Sequence, residues 1–347
     1  MGVVAAAGWF ARAAARAAAA LLAAALATVP ALALTEAELS ELARQAAKGS
    51  AEAGEAIERA ANGGDTIAEH LMGMMFISGR GRAQDDAQAL DWFLRAARKG
   101  HVESAHNVAV IYQRSGAGLK DPGEARRWFR AAAEGGLARA QANLGEMLAT
   151  GQGGPADTDE ALAWLRKAVA QGDARGQYLL GILHLNGHGT AKDAAEAARL
   201  IRLGAEGGDR EAQYQLALMH GSGQGMEKDD AQAVAWLRKS VDQRYAPAEY
   251  LLAAAHARGL HGLKRDQGRA IDLLRRSAAH GYAEAQYALG LAYADGDGVP
   301  RDPQEAYGWL LRAARGGHPQ AIETVRRIQA RTQGAQGTKE PPKEKPQ

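Results

Sequence analysis

The feature that most constrains the fold is an internal repeat of 36 residues. One large apolar residue, usually tryptophan, marks the same position in each unit: Trp92, Trp128, Trp164, Leu200, Trp236, Leu273 and Trp309. Neighbouring members are 36 residues apart, except that 37 residues separate Trp236 from Leu273. A unit of this length cannot bury its apolar face alone, so successive units must stack and share a core. The sequence therefore predicts a repeat protein and not one or two globular domains.

Each unit has the pattern of two helices joined by a loop. In the fourth unit, Gly176, Leu180 and Leu183 recur at helical spacing and form one inward stripe. The second helix of each unit is expected to begin after an aspartate, whose carboxylate accepts hydrogen bonds from free backbone N–H groups. These aspartates are Asp85, Asp121, Asp157, Asp193, Asp229, Asp266 and Asp302. The second helix is expected to bury the tryptophan column together with the residue that follows each member.

The seventh unit carries the most complete form of this pattern. It contains Ala285-Gln286-Tyr287-Ala288-Leu289-Gly290, then Gly296-Asp297-Gly298, Asp302, Ala306 and Trp309. The pattern resembles the Sel1-like repeat, which is similar to the tetratricopeptide repeat. The resemblance implies an all-α fold, a right-handed superhelical solenoid of helix-turn-helix Sel1-like repeats. It also implies a scaffold or regulator that mediates protein–protein interaction, as some secreted members do in cell-envelope or exopolysaccharide control.

The repeats divide the chain into five segments. The predicted segments are a signal peptide at 1–33, capping helices from a degenerate repeat at 34–64, seven repeats at 65–317, a C-terminal capping helix at 318–331 and a disordered tail at 332–347. The leading cap is expected to break at Lys48-Gly49. The tail lacks apolar periodicity and is rich in Gly, Pro, Lys and Glu, a composition typical of disorder.

The N-terminal segment has the three parts of a secretory signal. Arg12 and Arg16 are its only charges, residues 17–27 are apolar, and Ala31-Leu32-Ala33 is a small-residue cleavage site. This predicts an exported protein, periplasmic or secreted, with no stable membrane insertion after cleavage. The alternative is a retained anchor, because residues 17–35 carry no charge, and the protein would then be a membrane-tethered assembly factor.

Composition argues against several classes of function. The net charge is +2, and the two surplus charges are those of the N-terminal segment, so the remainder of the chain has no net charge to attract nucleic acid. The absence of cysteine excludes disulfides, thiolate metal sites and a cysteine nucleophile. No Gly-x-Ser-x-Gly or Ser-x-x-Lys motif occurs. We therefore expect no enzymatic activity and no cofactor. A hydrolase of β-lactam or cell-wall substrates is the alternative, because some cysteine-rich secreted relatives are associated with β-lactams.

Three histidines share one repeat position: His184, His220 and His256. They could form a metal-binding ladder or could substitute for aromatic residues at a helix–helix contact. Equivalent helices of neighbouring hairpins lie about 9–10 Å apart, which is too far for imidazoles to converge easily on one ion. We therefore expect a packing role and no metal site.

The candidate binding residues lie on the first helix of each unit. Resemblance to tetratricopeptide arrays implies that two of its positions, and its C-terminal end, face a concave groove. The predicted partner-binding residues are Tyr178, Ile182, Tyr214, Leu218, Tyr250, Arg258, Tyr287 and Leu291. An apolar groove with several tyrosines suits a peptide from a protein partner, whose identity the sequence does not reveal. The alternative is that the tyrosines pack one hairpin on the next, and the sequence leaves both interpretations open.

Overall fold

The computed structural model describes residues 34–114 and 118–337, with side chains as far as Arg331. Within these residues all regular secondary structure is helical. The helices that precede Gly172 are α1 (Glu36–Ala47), α2 (Ala51–Asn62), α3 (Thr66–Ser78), α4 (Asp86–Arg98), α5 (Val102–Gln113), α6 (Pro122–Glu134), α7 (Ala138–Thr150) and α8 (Thr158–Ala170). The helices that follow are α9 (Ala174–Asn186), α10 (Ala194–Glu206), α11 (Arg210–Ser222), α12 (Asp230–Asp242), α13 (Ala246–Arg258), α14 (Gln267–Ala279), α15 (Ala283–Asp295), α16 (Pro303–Arg315) and α17 (Pro319–Gly337).

The helices form two compact units. The first unit contains α1 to α8 and ends at Gln171, and the second contains α9 to α17 and begins at Gly172. In each unit, helices that are consecutive along the chain pack as antiparallel hairpins, and each hairpin packs on the next. The predicted all-α architecture of repeated helical hairpins is confirmed.

Local sequence signals determine where the helices begin and end. All seven predicted aspartates cap a second helix; Asp193, for example, accepts hydrogen bonds from the backbone N–H groups of Ala195 and Glu196. Six of the first helices end at a left-handed glycine, such as Gly187 with a φ of 74°. Glycine adopts this conformation without the steric cost that a Cβ atom imposes, so the chain turns sharply into the loop.

The tryptophan column is shallower than predicted. Trp92 is buried, but Trp128, Trp164, Trp236 and Trp309 are partly exposed. In four of the repeats, the arginine or lysine three residues after the tryptophan stacks on its ring. The charged group lies 3.6–4.4 Å from the ring centroid. The deeper column is that of the following residue, for example Phe129 and Ile201, which are completely buried. Tryptophan is so large that it is rarely buried completely, whereas Leu200 at the same position is 1% exposed.

Small residues allow the two helices of a hairpin to approach closely. A Cβ atom added to Gly145 would lie 2.6 Å from the Leu165 side chain, and one added to Gly181 would lie 2.7 Å from Ile201. Such distances are well inside van der Waals contact, so these positions accept no larger side chain without a shift of the helices. The first helix therefore rests directly on the core column of the second.

The two ends of the repeat array differ in their agreement with the predicted segments. Between α1 and α2 the chain breaks at Lys48 and Gly49, as expected. The last helix ends at Gly337 and not at Arg331, so the first residues of the predicted disordered tail are helical. No proline lies between Pro319 and Pro341, so none interrupts the helix in this stretch. The predicted signal peptide at 1–33 and residues 338–347 lie outside the described residues. In the described part of the chain, no helix combines the length and apolarity needed to cross a membrane.

Candidate partner-binding face

The predicted tyrosines all lie in the second unit, at one position of its four first helices. Tyr178 belongs to α9, Tyr214 to α11, Tyr250 to α13 and Tyr287 to α15, and each side chain is half-buried. Together with Ile182, Leu218, Arg258 and Leu291 they are called the first-helix face. They share a position in the repeat, so the same surroundings recur around each ring.

Three of these rings pack on the residue that begins the next hairpin. Tyr214 contacts Tyr245 edge-on at 5.5 Å between ring centroids, Tyr250 contacts Tyr282 in the same way at 5.5 Å, and Tyr287 stacks on His318 at 4.3 Å. Such aromatic pairs stabilise by about 0.5–1.5 kcal/mol beyond their buried area. These three tyrosines therefore contribute to hairpin stacking although their side chains are only half-buried, and their role in binding stays a prediction.

Burial raises the pKa of Tyr178 and Tyr214, and it raises that of Tyr282 to about 12. Desolvation is the main cause, because it disfavours the charged phenolate. These hydroxyl groups remain protonated at physiological pH, so the face offers neutral hydrogen-bond donors and acceptors.

The aliphatic members of the face vary in exposure. Ile182 and Leu218 are half-buried, whereas Leu291 is 38% exposed. In α13 the same position holds Ala254. The shorter side chain leaves a gap in the row of apolar residues along the first helices.

A cavity of about 390 Å³ occupies this gap, between α13, α14 and α15. It brings together three predicted residues, Tyr250, Arg258 and Leu291. Alanine is the most frequent residue in its walls, at positions such as Ala254 and Ala288. The volume lies in the range of small ligand pockets. The other predicted residues lie outside the lining of the cavity: Tyr178 and Ile182 on α9, Tyr214 and Leu218 on α11, and Tyr287 on α15.

Charged side chains of both signs line the same cavity. Arg258 ends α13, and Arg265 lies in the loop before α14. Asp295 ends α15, and Asp297 follows it and accepts a hydrogen bond of 3.0 Å from the side-chain amide of Gln267. Among the described residues, no ion pair forms with Arg258, Arg265 or Asp295. Sequence reasoning missed the loop residue Arg265, for which the only signal was the extra residue in the sixth unit's loop. Asp297 was noted only as part of the repeated Gly-x-Gly loop of the seventh unit.

The histidine column shows helix packing. His184 lies 3.1 Å from the Thr190 hydroxyl, and His256 is buried. Burial lowers the pKa of His220, which favours its neutral form. In the residues that the structure describes, no three His, Cys, Asp or Glu side chains converge as metal ligands.

A second polar cluster, which sequence reasoning missed, lies in the first unit. The hydroxyl oxygen of Ser104 is 2.9 Å from Nδ1 of both His70 and His101. Since Nδ1 of His101 already accepts from the Ser104 backbone N–H, the Ser104 hydroxyl donates to His101 and accepts from Nδ1–H of His70. Ser104 is completely buried, so it cannot meet a substrate as a nucleophile would. The cluster ties α3 to α5.

Burial strongly affects the histidines of this region. It lowers the pKa of His70 to about 4, reinforced by the nearby His101 and Arg139 and opposed by Glu103. Burial also lowers the pKa of His106 to about 4, and the His106 ring packs edge-on against Phe129 at 5.4 Å. Both imidazoles are therefore neutral near pH 7.

Comparison with known proteins identifies this arrangement as that of a helical repeat scaffold. The sequence profile of the Sel1 repeat matches residues 66–101, 102–137, 138–173, 174–209, 210–245, 246–282 and 283–318. The chain belongs to the Sel1 repeat family, whose members are typically non-catalytic scaffolds for protein interaction. The predicted family and its seven repeats are confirmed.

Solved structures agree with this assignment. A Sel1 repeat protein from Oxalobacter formigenes is 27% identical, with a TM-score of 0.63 over 70% of this chain and 97% of that one. A protective antigen with an SLR fold, present in uropathogenic Escherichia coli strains, is 29% identical, with a TM-score of 0.53 over 84% of this chain and 67% of that one. None of the curated protein sequences compared with the chain matches it significantly.

Proposed function

We propose that the protein is an exported scaffold that binds a protein partner of the cell envelope through the first-helix face. The observation that carries this proposal is the recurrence of half-buried tyrosines at one position of four consecutive hairpins in the second unit, with a large aliphatic residue four positions later in three of them. Rigid aromatic and aliphatic side chains of this kind supply contact area at low entropic cost. A regulator of envelope or exopolysaccharide processes is the role that the family resemblance favours.

Export is proposed from the pattern of residues 1–33, with cleavage after Ala33. The test is N-terminal sequencing of the protein purified from its own organism. A mature chain that begins at Leu34 supports export and cleavage, whereas a chain that retains residues 1–33 contradicts them.

The binding test replaces Leu218 and Leu291 with aspartate and compares partner capture from an envelope extract. Charged groups on an apolar contact surface remain unpaired on binding, so partner capture should decrease at least about tenfold. The matched control is Leu203→Asp, because Leu203 lies on a second helix and is 37% exposed, close to the 38% of Leu291.

Thermal melting must precede this comparison, and all variants should retain a cooperative transition. If the double variant captures the same partners as the parent, the first-helix face is not the binding surface. If Leu203→Asp removes the partners and the double variant does not, the surface lies on the second helices instead.

A further inference from the structure

The cavity between α13, α14 and α15 has the features of a specific side-chain receptor. Its volume of about 390 Å³ exceeds what one aliphatic side chain occupies. It exists because Ala254 stands at a position where Ile182, Leu218 and Leu291 stand in the other repeats of this unit. An apolar residue of a partner can therefore occupy the volume that a larger residue of this chain fills elsewhere.

The charges around the cavity define what must flank that residue. Arg258 and Arg265 come from the sixth repeat, and Asp295 and Asp297 come from the seventh. Oppositely charged side chains within 4 Å would pair, yet none of the ion pairs among the described residues joins these arginines to these aspartates. Since these arginines and aspartates do not pair with one another among the described residues, each can pair with a charge of opposite sign on a bound molecule.

Neighbouring contacts hold this arrangement in place. Gln267 at the start of α14 donates from Nε2 to Asp297 Oδ1 at 3.0 Å. A Cβ atom on Gly298 would lie 2.8 Å from both Gln267 and Ile271, so this loop packs tightly against α14. The acidic side of the cavity is therefore preorganised, which reduces the entropic cost of binding.

We propose that this cavity binds a peptide segment of the partner with an aliphatic or aromatic anchor, flanked by an acidic residue on one side and a basic residue on the other. The anchor fills the alanine-lined volume, the acid pairs with Arg258 and Arg265, and the base pairs with Asp295 and Asp297. This inference rests on the proposed function and names the chemistry that the partner must carry.

The test uses a phage-displayed library of random dodecapeptides selected on the purified protein. Enriched sequences should share an apolar residue with an acid and a base on opposite sides. Synthetic versions of these peptides should bind Ala254→Leu at least tenfold more weakly, because the larger side chain at this lining position takes up space that the anchor needs. The matched control is Ala279→Leu, which adds the same side chain at an exposed position of α14 outside the cavity and should bind like the parent.

Exchanging the charges of the protein and the peptide tests the orientation of the bound peptide. Arg258→Glu should weaken the same peptides at least tenfold, and a peptide whose acidic residue is replaced with lysine should recover binding to this variant. Selected peptides that bind Ala254→Leu as well as the parent would overturn the cavity proposal. If those peptides are instead sensitive to Leu218→Asp, the proposed function stands without the cavity.

Two other outcomes also decide against the proposal. If the selection on the parent protein enriches no more peptides than a selection on Ala254→Leu, the cavity is not a peptide receptor. If free leucine, titrated by calorimetry, binds the parent with a submillimolar Kd and does not bind Ala254→Leu, the cavity is a site for a free amino acid and not for a protein segment.

Discussion

Glu249 and His280 form a buried contact between the two helices of the sixth repeat. The Glu249 side chain has no solvent exposure, its Oε2 lies 2.7 Å from Nδ1 of His280, and its Oε1 lies 2.8 Å from the Arg276 guanidinium. In the fifth repeat the same two positions hold Gln213 and Gln243, joined by a hydrogen bond of 2.9 Å. The repeats thus use either a Glu–His or a Gln–Gln pair to couple the start of one helix to the end of the other.

Truncation of the Glu249 carboxylate should destabilise the second unit. Glu249→Ala should lower the free energy of unfolding by about 2 kcal/mol, because the Arg276 guanidinium and Nδ1 of His280 lose their hydrogen-bonding partner. The double variant Glu249→Gln with His280→Gln reproduces the pair of the fifth repeat and should recover most of this loss. Urea unfolding followed by circular dichroism measures both. A double variant as unstable as Glu249→Ala would show that the ionic contact itself is needed.

Arg244 should be a strained residue whose replacement stabilises the fold. It has a φ of 56°, whereas the equivalent position in other repeats is glycine, as at Gly172, Gly208 and Gly281 with φ of 78–93°. Arg244→Gly should raise the free energy of unfolding by about 0.5 kcal/mol, since removal of left-handed strain exceeds the added chain entropy. Gly208→Arg, where nothing surrounds the new Cβ within 4 Å, should lower it by about 1 kcal/mol. If Arg244→Gly lowers the melting temperature and Gly208→Arg raises it, this account is wrong.

Gly181 should not tolerate even one methyl group. A Cβ at this position would lie 2.7 Å from Ile201 Cγ1 and 3.2 Å from the Ala197 carbonyl oxygen, so both side chain and backbone of α10 oppose it. Gly181→Ala should cost about 1–2 kcal/mol, despite the better helix propensity of alanine. Gly308→Ala is the matched control within α16, because nothing lies within 4 Å of the added Cβ, and it should stabilise by about 0.5–1 kcal/mol. Equal effects of the two substitutions would rule out close packing as the cause.

The stability of the first unit should decrease in mild acid. The pKa of His70 and that of His106 are each lowered to about 4 from an ordinary value of 6.5, so the unfolded chain binds more protons between these values. Stability should therefore be full above about pH 6.5 and decrease as the pH falls towards 4, by up to about 3 kcal/mol for each of the two groups. Unfolding at a series of pH values measures the slope.

His106→Phe supplies the control for this prediction. It keeps an aromatic ring against Phe129 and removes one titrating group, so the dependence of stability on pH should become clearly shallower. A variant with the same slope as the parent would assign the acid sensitivity to other groups.

Several features could be predicted because they depend on short-range chemistry. The aspartate caps, the left-handed glycines and the 36-residue spacing each report a local requirement of the backbone, so Asp193 and Gly187 indicate helix boundaries without any knowledge of tertiary contacts. The depth of Trp164 and the aromatic partner of Tyr214 could not be obtained in this way. Both depend on the space left between hairpins, which a repeat pattern does not specify.

By itself, the sequence determined the family, the number of repeats and the helical hairpin of each, because these follow from periodicity and capping. Only the tertiary structure decided which groups surround the side chains at equivalent positions of the repeats. It packed Tyr250 on Tyr282 and placed Arg258, Arg265, Asp295 and Asp297 around one cavity. The reason is physical: equivalent positions acquire different surroundings when one member of a column, here Ala254, is smaller than its counterparts and leaves its volume unfilled.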